Sequence, residues 1–242
     1  IFTHEINKGA PYYVINYDDV SGKTDTVTSG KGDNSNSGPN TTSKTLPHNL
    51  GKIPEMIWVK CRSTGYNWYV YHKGQNGGTN PQNYYLSLNA TDGNIESVAP
   101  ATDAMWNNTA PTSTHFSLGP GNDINANNDT YIAMLFASVS GISSVGSYDG
   151  SSSNVTVTTG FTPRFIIIKS TTHAQNWCVF DTLRSLGSSG NDKLLKLNSS
   201  AAESAANTDY VNTTATGFVV KSGQSAETNG GSTYKYIYYA HA

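Results

Sequence analysis

The chain has 242 residues, of which 36% are hydrophobic and only 13% charged, with a formal net charge of −2. Asn, Ser, Thr and Gly supply roughly two-fifths of it, which excludes a mainly helical protein because these residues favour turns, caps and loops. The 15 Lys and Arg residues are scattered singly, so nucleic acid is excluded as the main ligand: phosphate binding needs a basic stripe.

The first strand-like piece is Val14-Ile-Asn-Tyr-Asp18, followed by a Gly/Ser/Asn/Thr-rich insertion at about 21–45 that reads as a mobile surface loop. Residues 56–60 form a near-continuous apolar run entered after Pro54, then a polar turn at 62–66, then the strand Asn67-Trp-Tyr-Val-Tyr71. That is a hairpin signal with a loop of about five residues. Further on come Leu86-Ser-Leu-Asn89, Trp106-Asn-Asn-Thr-Ala, Phe116 and a strand at 131–137. The second half opens with Val145-Gly-Ser-Tyr-Asp149 and a run at 165–169 after Pro163, followed by a turn at 171–175 and Asn176-Trp-Cys-Val-Phe180. Residues 201–207 are the one helical-looking stretch, and a Tyr-rich strand at 234–240 ends the series.

The two halves repeat each other. Gly51-Lys-Ile-Pro-Glu-Met-Ile-Trp-Val-Lys60 returns as Gly160-Phe-Thr-Pro-Arg-Phe-Ile-Ile-Ile-Lys169, Asn67-Trp as Asn176-Trp, and Leu86-Ser-Leu-Asn89 as Leu195-Lys-Leu-Asn198, all at one offset of 109. Phe116 then answers Phe218, and Thr130-Tyr answers Thr233-Tyr. Five motifs in the same order mark an internal duplication. The expected fold is all-β: two tandem antiparallel β-sandwich-like repeats, 1–139 and 140–242, related by a pseudo-two-fold axis.

Chemistry is sparse. The acidic residues Asp18, Asp19, Asp33, Asp92, Asp123 and Asp192 read as turn and cap residues. His4, His48, His72, His115, His173 and His241 show no zinc spacing, and His72 stands where the second repeat has Asp181, which marks a tolerant polar strand end. No nucleophile elbow or phosphate loop occurs, so no catalytic residues are assigned. The loop from Asp123 to Asp129 alternates oxygen ligands but lacks the Gly and Glu of a calcium loop. No metal and no cofactor is expected. Cys61 and Cys178 read as two free buried thiols, with a single bridge between the halves as the alternative. Seven Asn-x-Ser/Thr sequons, at Asn40, Asn89, Asn107, Asn128, Asn154, Asn198 and Asn212, follow from the composition. No apolar run nears the ~18 residues that span a bilayer, so membrane insertion is not expected. No N-terminal signal pattern appears, and a start at Ile1 reads as a processed or partial product. What remains is surface recognition. Sugars present C–H patches beside hydroxyls, and Tyr66, Tyr84, Trp106 and Tyr210 lie in amide-rich loops suited to both. Trp68 and Trp177, which recur inside strands, read as core.

The set Val145-Gly-Ser-Tyr-Asp-Gly150, Gly160-Phe-x-Pro-Arg-Phe-Ile-Ile-Ile-Lys169, Asp181-Thr-Leu-Arg184, Gly217-Phe and Gly231-Ser-Thr-Tyr, together with Leu46-Pro-His-Asn-Leu-Gly51, Trp68-Tyr-Val-Tyr-His72 and Phe116-Ser-Leu-Gly119, covers nearly the whole chain. It resembles a two-repeat family of tail, tail-fibre or other virion structural proteins of tailed bacteriophages, many of them marine. The chain departs from that pattern in ending Tyr-Ala-His-Ala instead of Phe-Ala-Glu, and in lacking the long upstream region of larger members. The resemblance implies a non-enzymatic component of the virion exterior, tail fibre, tail tip or head fibre. Its expected partners are other virion proteins, further copies of itself in a homo-oligomer, and host cell-surface polysaccharide. Two rivals stand beside it: a purely architectural capsid-decoration or filament subunit, and a polysaccharide-degrading enzyme.

Overall fold

Pro54 and Pro163 hold the chain extended just ahead of two apolar runs, and each run becomes a central strand of an antiparallel sheet. The structure is a computed structural model that describes residues 12–18, 23–26, 32–33, 43–97, 105–126, 129–187, 192–204 and 208–242, the first three segments and Asn122 by backbone alone. Two compact units divide the chain: Ile1–Ser87 with Ile95–Ala137, and Leu88–Asn94 with Ser138–Ala242.

In unit 1 the strands are β1 (Tyr12–Asp18), β2 (Lys23–Thr26), β3 (Gly32–Asp33), β4 (Lys44–Pro47), β5 (Met56–Cys61), β6 (Trp68–His72), β7 (Tyr84–Ser87), β8 (Ile95–Glu96), β9 (His115–Leu118) and β10 (Thr130–Phe136). One sheet runs β3-β2-β1-β10-β5-β6-β7-β8, and β4 pairs with β9 separately. Unit 2 contains β11 (Ser143–Asp149), β12 (Val155–Thr158), β13 (Phe165–Ser170), β14 (Cys178–Asp181), β15 (Leu195–Lys196), β16 (Val211–Thr214), β17 (Gly217–Val220) and β18 (Lys235–His241). Its sheets run β11-β18-β13-β14-β15 and β12-β17-β16. The ladders between these strands are antiparallel, and Gly187 and Asn212 form an isolated parallel bridge.

The pairing registers match between units. Met56 opposes His72 as Phe165 opposes Asp181, Tyr69 opposes Ser87 as Cys178 opposes Lys196, and Leu46 opposes Phe116 as Val157 opposes Phe218. Tyr131 opposes Cys61 as Tyr236 opposes Ser170. The last pair corrects the sequence alignment: Tyr131 corresponds to Tyr236, not Tyr234. A slip of two leaves every side chain on the same face of a strand, so alternation could not detect it.

Each unit has its own core. Leu46, Val59, Tyr71, Trp106, Phe116 and Tyr131 are among the buried residues of the first, and Ile166, Ile168, Phe180, Phe218 and Tyr236 among those of the second. Burying such a side chain contributes ~1.5–3 kcal/mol. Short helices α1 (Asn122–Asn125) and α2 (Ala226–Asn229) precede the last strand of each unit. A buried tyrosine of that strand satisfies backbone at the helix end: Ala126 N–H donates to Tyr131 Oη (2.7 Å), and Gly230 N–H to Tyr236 Oη (2.7 Å). Tyr236 also donates to Ala226 C=O (2.6 Å). Lys169, at the end of β13's apolar run, is fully buried; its Nζ donates to Thr91 C=O (3.0 Å) and Ser170 C=O (2.8 Å). Burial pushes its ammonium down to about 8.

Several expectations need correction. Of the 21–45 insertion, Lys23–Thr26 and Gly32–Asp33 are strands and β4 begins at Lys44; most of the rest lies outside the described residues. Residues 201–204 are not helical, because Ser204 bonds Leu194 through both backbone and hydroxyl (3.0 and 3.1 Å); residues 205–207 lie outside the described set. Trp177 is core, but Trp68 at the matching place is only half-buried. His72 ends β6 as expected, but as a fully buried residue with a set task, its Nδ1 accepting Gly74 N–H (3.0 Å). Asp181 accepts Arg184 N–H (3.0 Å), so the two different residues share the work of closing the turn that follows. Cys61 and Cys178 are both free and buried.

Candidate recognition surface

Tyr84 begins β7 because Pro81–Asn83, a single 3₁₀ turn, ends there, and the strand then pairs with the two residues of β8. Its half-buried ring lies beside Glu96, directly opposite on β8, with Oη 3.4 Å from Oε1. Trp106 supports this edge from beneath: its Nε1–H donates to Tyr84 C=O (3.0 Å), and its ring meets Tyr71 edge-on at 5.9 Å. Trp106 is 1% exposed, so it cannot offer a stacking face to a ligand; its expected role as a contact residue is corrected to that of a support. Asn107 and Asn108 leave it in the left-handed region (φ 51° and 47°), and Thr109 N–H returns to Trp106 C=O (3.0 Å). Asn tolerates that conformation better than other non-glycine residues. A half-exposed phenol and a carboxylate thus share one edge, backed by a buried indole whose chain leaves through two left-handed Asn residues.

Residues 21–242 match the family model described as Domain of unknown function (DUF7483). The chain belongs to the DUF7483 family. No curated protein and no solved structure matches it.

The DUF7483 match spans all four aromatic positions singled out in the sequence, and the structure separates their roles. Tyr66 is half-buried against the core of unit 1, and its C=O accepts Lys60 Nζ (2.6 Å). Tyr210 belongs to unit 2, where its ring packs on Phe180 at 5.9 Å. Only Tyr84 and Trp106 are brought together. Near this edge the Tyr71 phenol is pushed up to about 12 by burial, with the Glu55 carboxylate adding to the effect. Glu55 itself pairs with Lys73 at 2.5 Å.

Among the described residues no group of three or more His, Cys, Asp or Glu side chains converges on a metal position. The calcium-like loop is dispersed: Asp123 accepts a hydrogen bond from Tyr69 Oη, while Asp129 Oδ1 accepts Ser63 Oγ (2.6 Å) and Thr64 Oγ1 (2.9 Å). Sequence reading missed Glu96. A two-residue strand carries no alternation, and the one available hint was the polar Asn94-Ile-Glu96 following a Gly.

Proposed function

We propose that this DUF7483 chain is a non-enzymatic structural protein of the exterior of a tailed-phage particle, a tail-fibre, tail-tip or head-fibre component. On this reading it meets host-surface polysaccharide with the Tyr84 edge of unit 1. The observation that carries the recognition half is the Tyr84–Glu96 pair held over buried Trp106. A fixed aromatic face beside hydrogen-bonding groups matches a sugar's C–H patch and hydroxyls, and rigidity lowers the ordering cost of binding. The virion half is supported by the motif set and by a low-charge, loop-rich β scaffold. Mass spectrometry of purified particles should find the chain in stoichiometric amount. On a glycan array, Tyr84→Ala should lose at least tenfold in affinity while keeping the native circular dichroism; equal binding by the variant would remove the site.

An architectural subunit is the second reading, and Leu183 favours it. This side chain is 93% exposed on the 3₁₀ turn Thr182–Arg184, which Asp181 caps and Arg184 braces at 2.5 Å. A rigidly presented apolar residue suits contact with a neighbouring subunit. A blank array together with virion incorporation lost in Leu183→Ser would establish this alternative.

A further inference from the structure

In unit 2 a lysine amine and an asparagine amide share one carboxylate oxygen. Lys196 Nζ donates to Glu227 Oε1 at 2.8 Å, and Asn176 Nδ2 donates to the same oxygen at 2.5 Å. The carbonyl oxygen of Asn176 accepts Asn198 Nδ2 (2.8 Å), and Asn198 is oriented in turn by Trp177 N–H, which donates to its Oδ1 (2.8 Å). Glu227 is fixed because Ser225 caps α2 through the Glu227 N–H (3.1 Å). Asn176 precedes β14 and Lys196 lies on β15, whose residues pair with β14 across from buried Cys178. β15, the residues leading into β14, the turn after β15 and α2 therefore bring together a nucleophile, an electrophile, a shared proton carrier and a donor on the oxygen that would become an oxyanion.

We propose that Lys196 and Asn176 join in an intramolecular isopeptide bond, with Glu227 carrying the protons. The Lys196 ammonium first gives a proton to Glu227. Nζ then attacks Asn176 Cγ, and the oxygen of the tetrahedral intermediate is stabilised by Asn198 Nδ2–H. The Cγ–Nδ2 bond breaks as Glu227 protonates Nδ2. Nζ loses its second proton through the same carboxyl, so a secondary amide forms and the departing nitrogen leaves as ammonium. No oxidant, metal or cofactor enters the balance. Holding the groups against one carboxylate replaces a bimolecular encounter, which is the kind of gain that makes a slow aminolysis proceed within a folded chain. Its hydrogen bond to Glu227 holds the Lys196 ammonium above its ordinary range, so the uncharged amine is the minority form and producing it is the costly first step.

Unit 1 supplies an internal control. Ser87 stands at the Lys196 register position and Tyr69 at that of Cys178. Asp123, the second residue of α1 as Glu227 is of α2, takes its hydrogen bond from the Tyr69 phenol. A carboxylate is present there but no amine, so no bond forms.

The test is intact-mass and peptide-mapping mass spectrometry of the denatured full chain. The expected result is a mass lower than the sequence value by one ammonia, and a tryptic species joining peptides 170–184 and 194–221 with cleavage after Lys196 lost. Lys196→Arg and Glu227→Gln should restore the full mass and the linear peptides while retaining the native circular dichroism. An unmodified mass in the wild type, an ammonia loss located elsewhere, or a bond that persists undiminished in Glu227→Gln would each overturn the proposal. None of these readouts depends on virion location or glycan binding.

Discussion

Asp192 reads as a loop residue in the sequence, yet it is 1% exposed. Its Oδ2 accepts Val211 N–H at 2.6 Å, and Tyr210 N–H also bonds the carboxyl. Burial pushes it up to about 6, with Asp209 adding, against the opposing pull of those backbone bonds and of Lys221. A carboxyl whose folded value is raised favours the folded state most when protonated. Its contribution is therefore complete below the unfolded value of ~4 and is lost as pH rises through about 6. Comparing wild type with Asp192→Asn in urea melts, the wild type should lose on the order of 3 kcal/mol relative to the variant between pH 4 and pH 7. A constant difference across that window would refute the assignment. Trp106 shows the complementary limit of sequence reading. Its neighbours are polar and its repeat match is loose, so its burial depends on the fold of unit 1, with Tyr71 and Tyr84 reaching it from elsewhere in the chain.

At the level of strands and turns, the hairpin of each half was legible, and motifs that kept both their order and their spacing showed which strands of the two halves correspond. The 109-residue offset in the sequence reappears as the same hydrogen-bond register in β5–β6–β7 and β13–β14–β15. The turn within each hairpin is fastened to the last strand by one hydroxyl: Thr130 N–H donates to Ser63 Oγ (3.0 Å), and Lys235 N–H to Thr172 Oγ1 (3.0 Å). Beside that shared bond the units diverge, with Thr64 on Asp129 in one and the His173 ring stacked on Tyr234 at 3.7 Å in the other. Only the backbone framework repeats there, and framework is what a motif alignment detects. The Lys196–Glu227 contact joins residues from a two-residue strand and a four-residue helix, too short for any periodic signal. Gly217 tests the strand packing: a Cβ there would lie 1.9 Å from Val157 C=O, whereas one at Gly65 meets nothing within 4 Å. Gly217→Ala should therefore cost more than ~2 kcal/mol by chemical denaturation, or prevent folding, and Gly65→Ala less than ~0.5 kcal/mol. Similar losses for both would contradict the close approach of β12 and β17.

For the molecule as a whole, low charge density leaves stability to burial and backbone pairing. Lys235–Asp149 at 2.8 Å is a solvent-exposed ion pair, and pairs such as Lys193–Glu203 at 3.1 Å and Lys221–Asp209 at 3.2 Å keep a quarter or more of each side chain in water. Raising sodium chloride from ~0.05 to ~1 M should move the unfolding free energy by less than ~1 kcal/mol, because screening acts on contacts already worth little. A larger shift in denaturant midpoints would show that charge carries more of the stability than the side-chain exposure implies. The short segment Leu88–Asn94 has a further consequence. It is made with the first half of the chain but belongs to unit 2, where Thr91 C=O accepts both Gln175 N–H (2.9 Å) and the buried Lys169 amine (3.0 Å). A ribosome emits this acceptor long before the lysine it will receive. Excising 138–242 as an independent gene product would leave that ammonium with Ser170 C=O but without Thr91 C=O in a dry interior, so the second sheet draws on an heirloom from upstream.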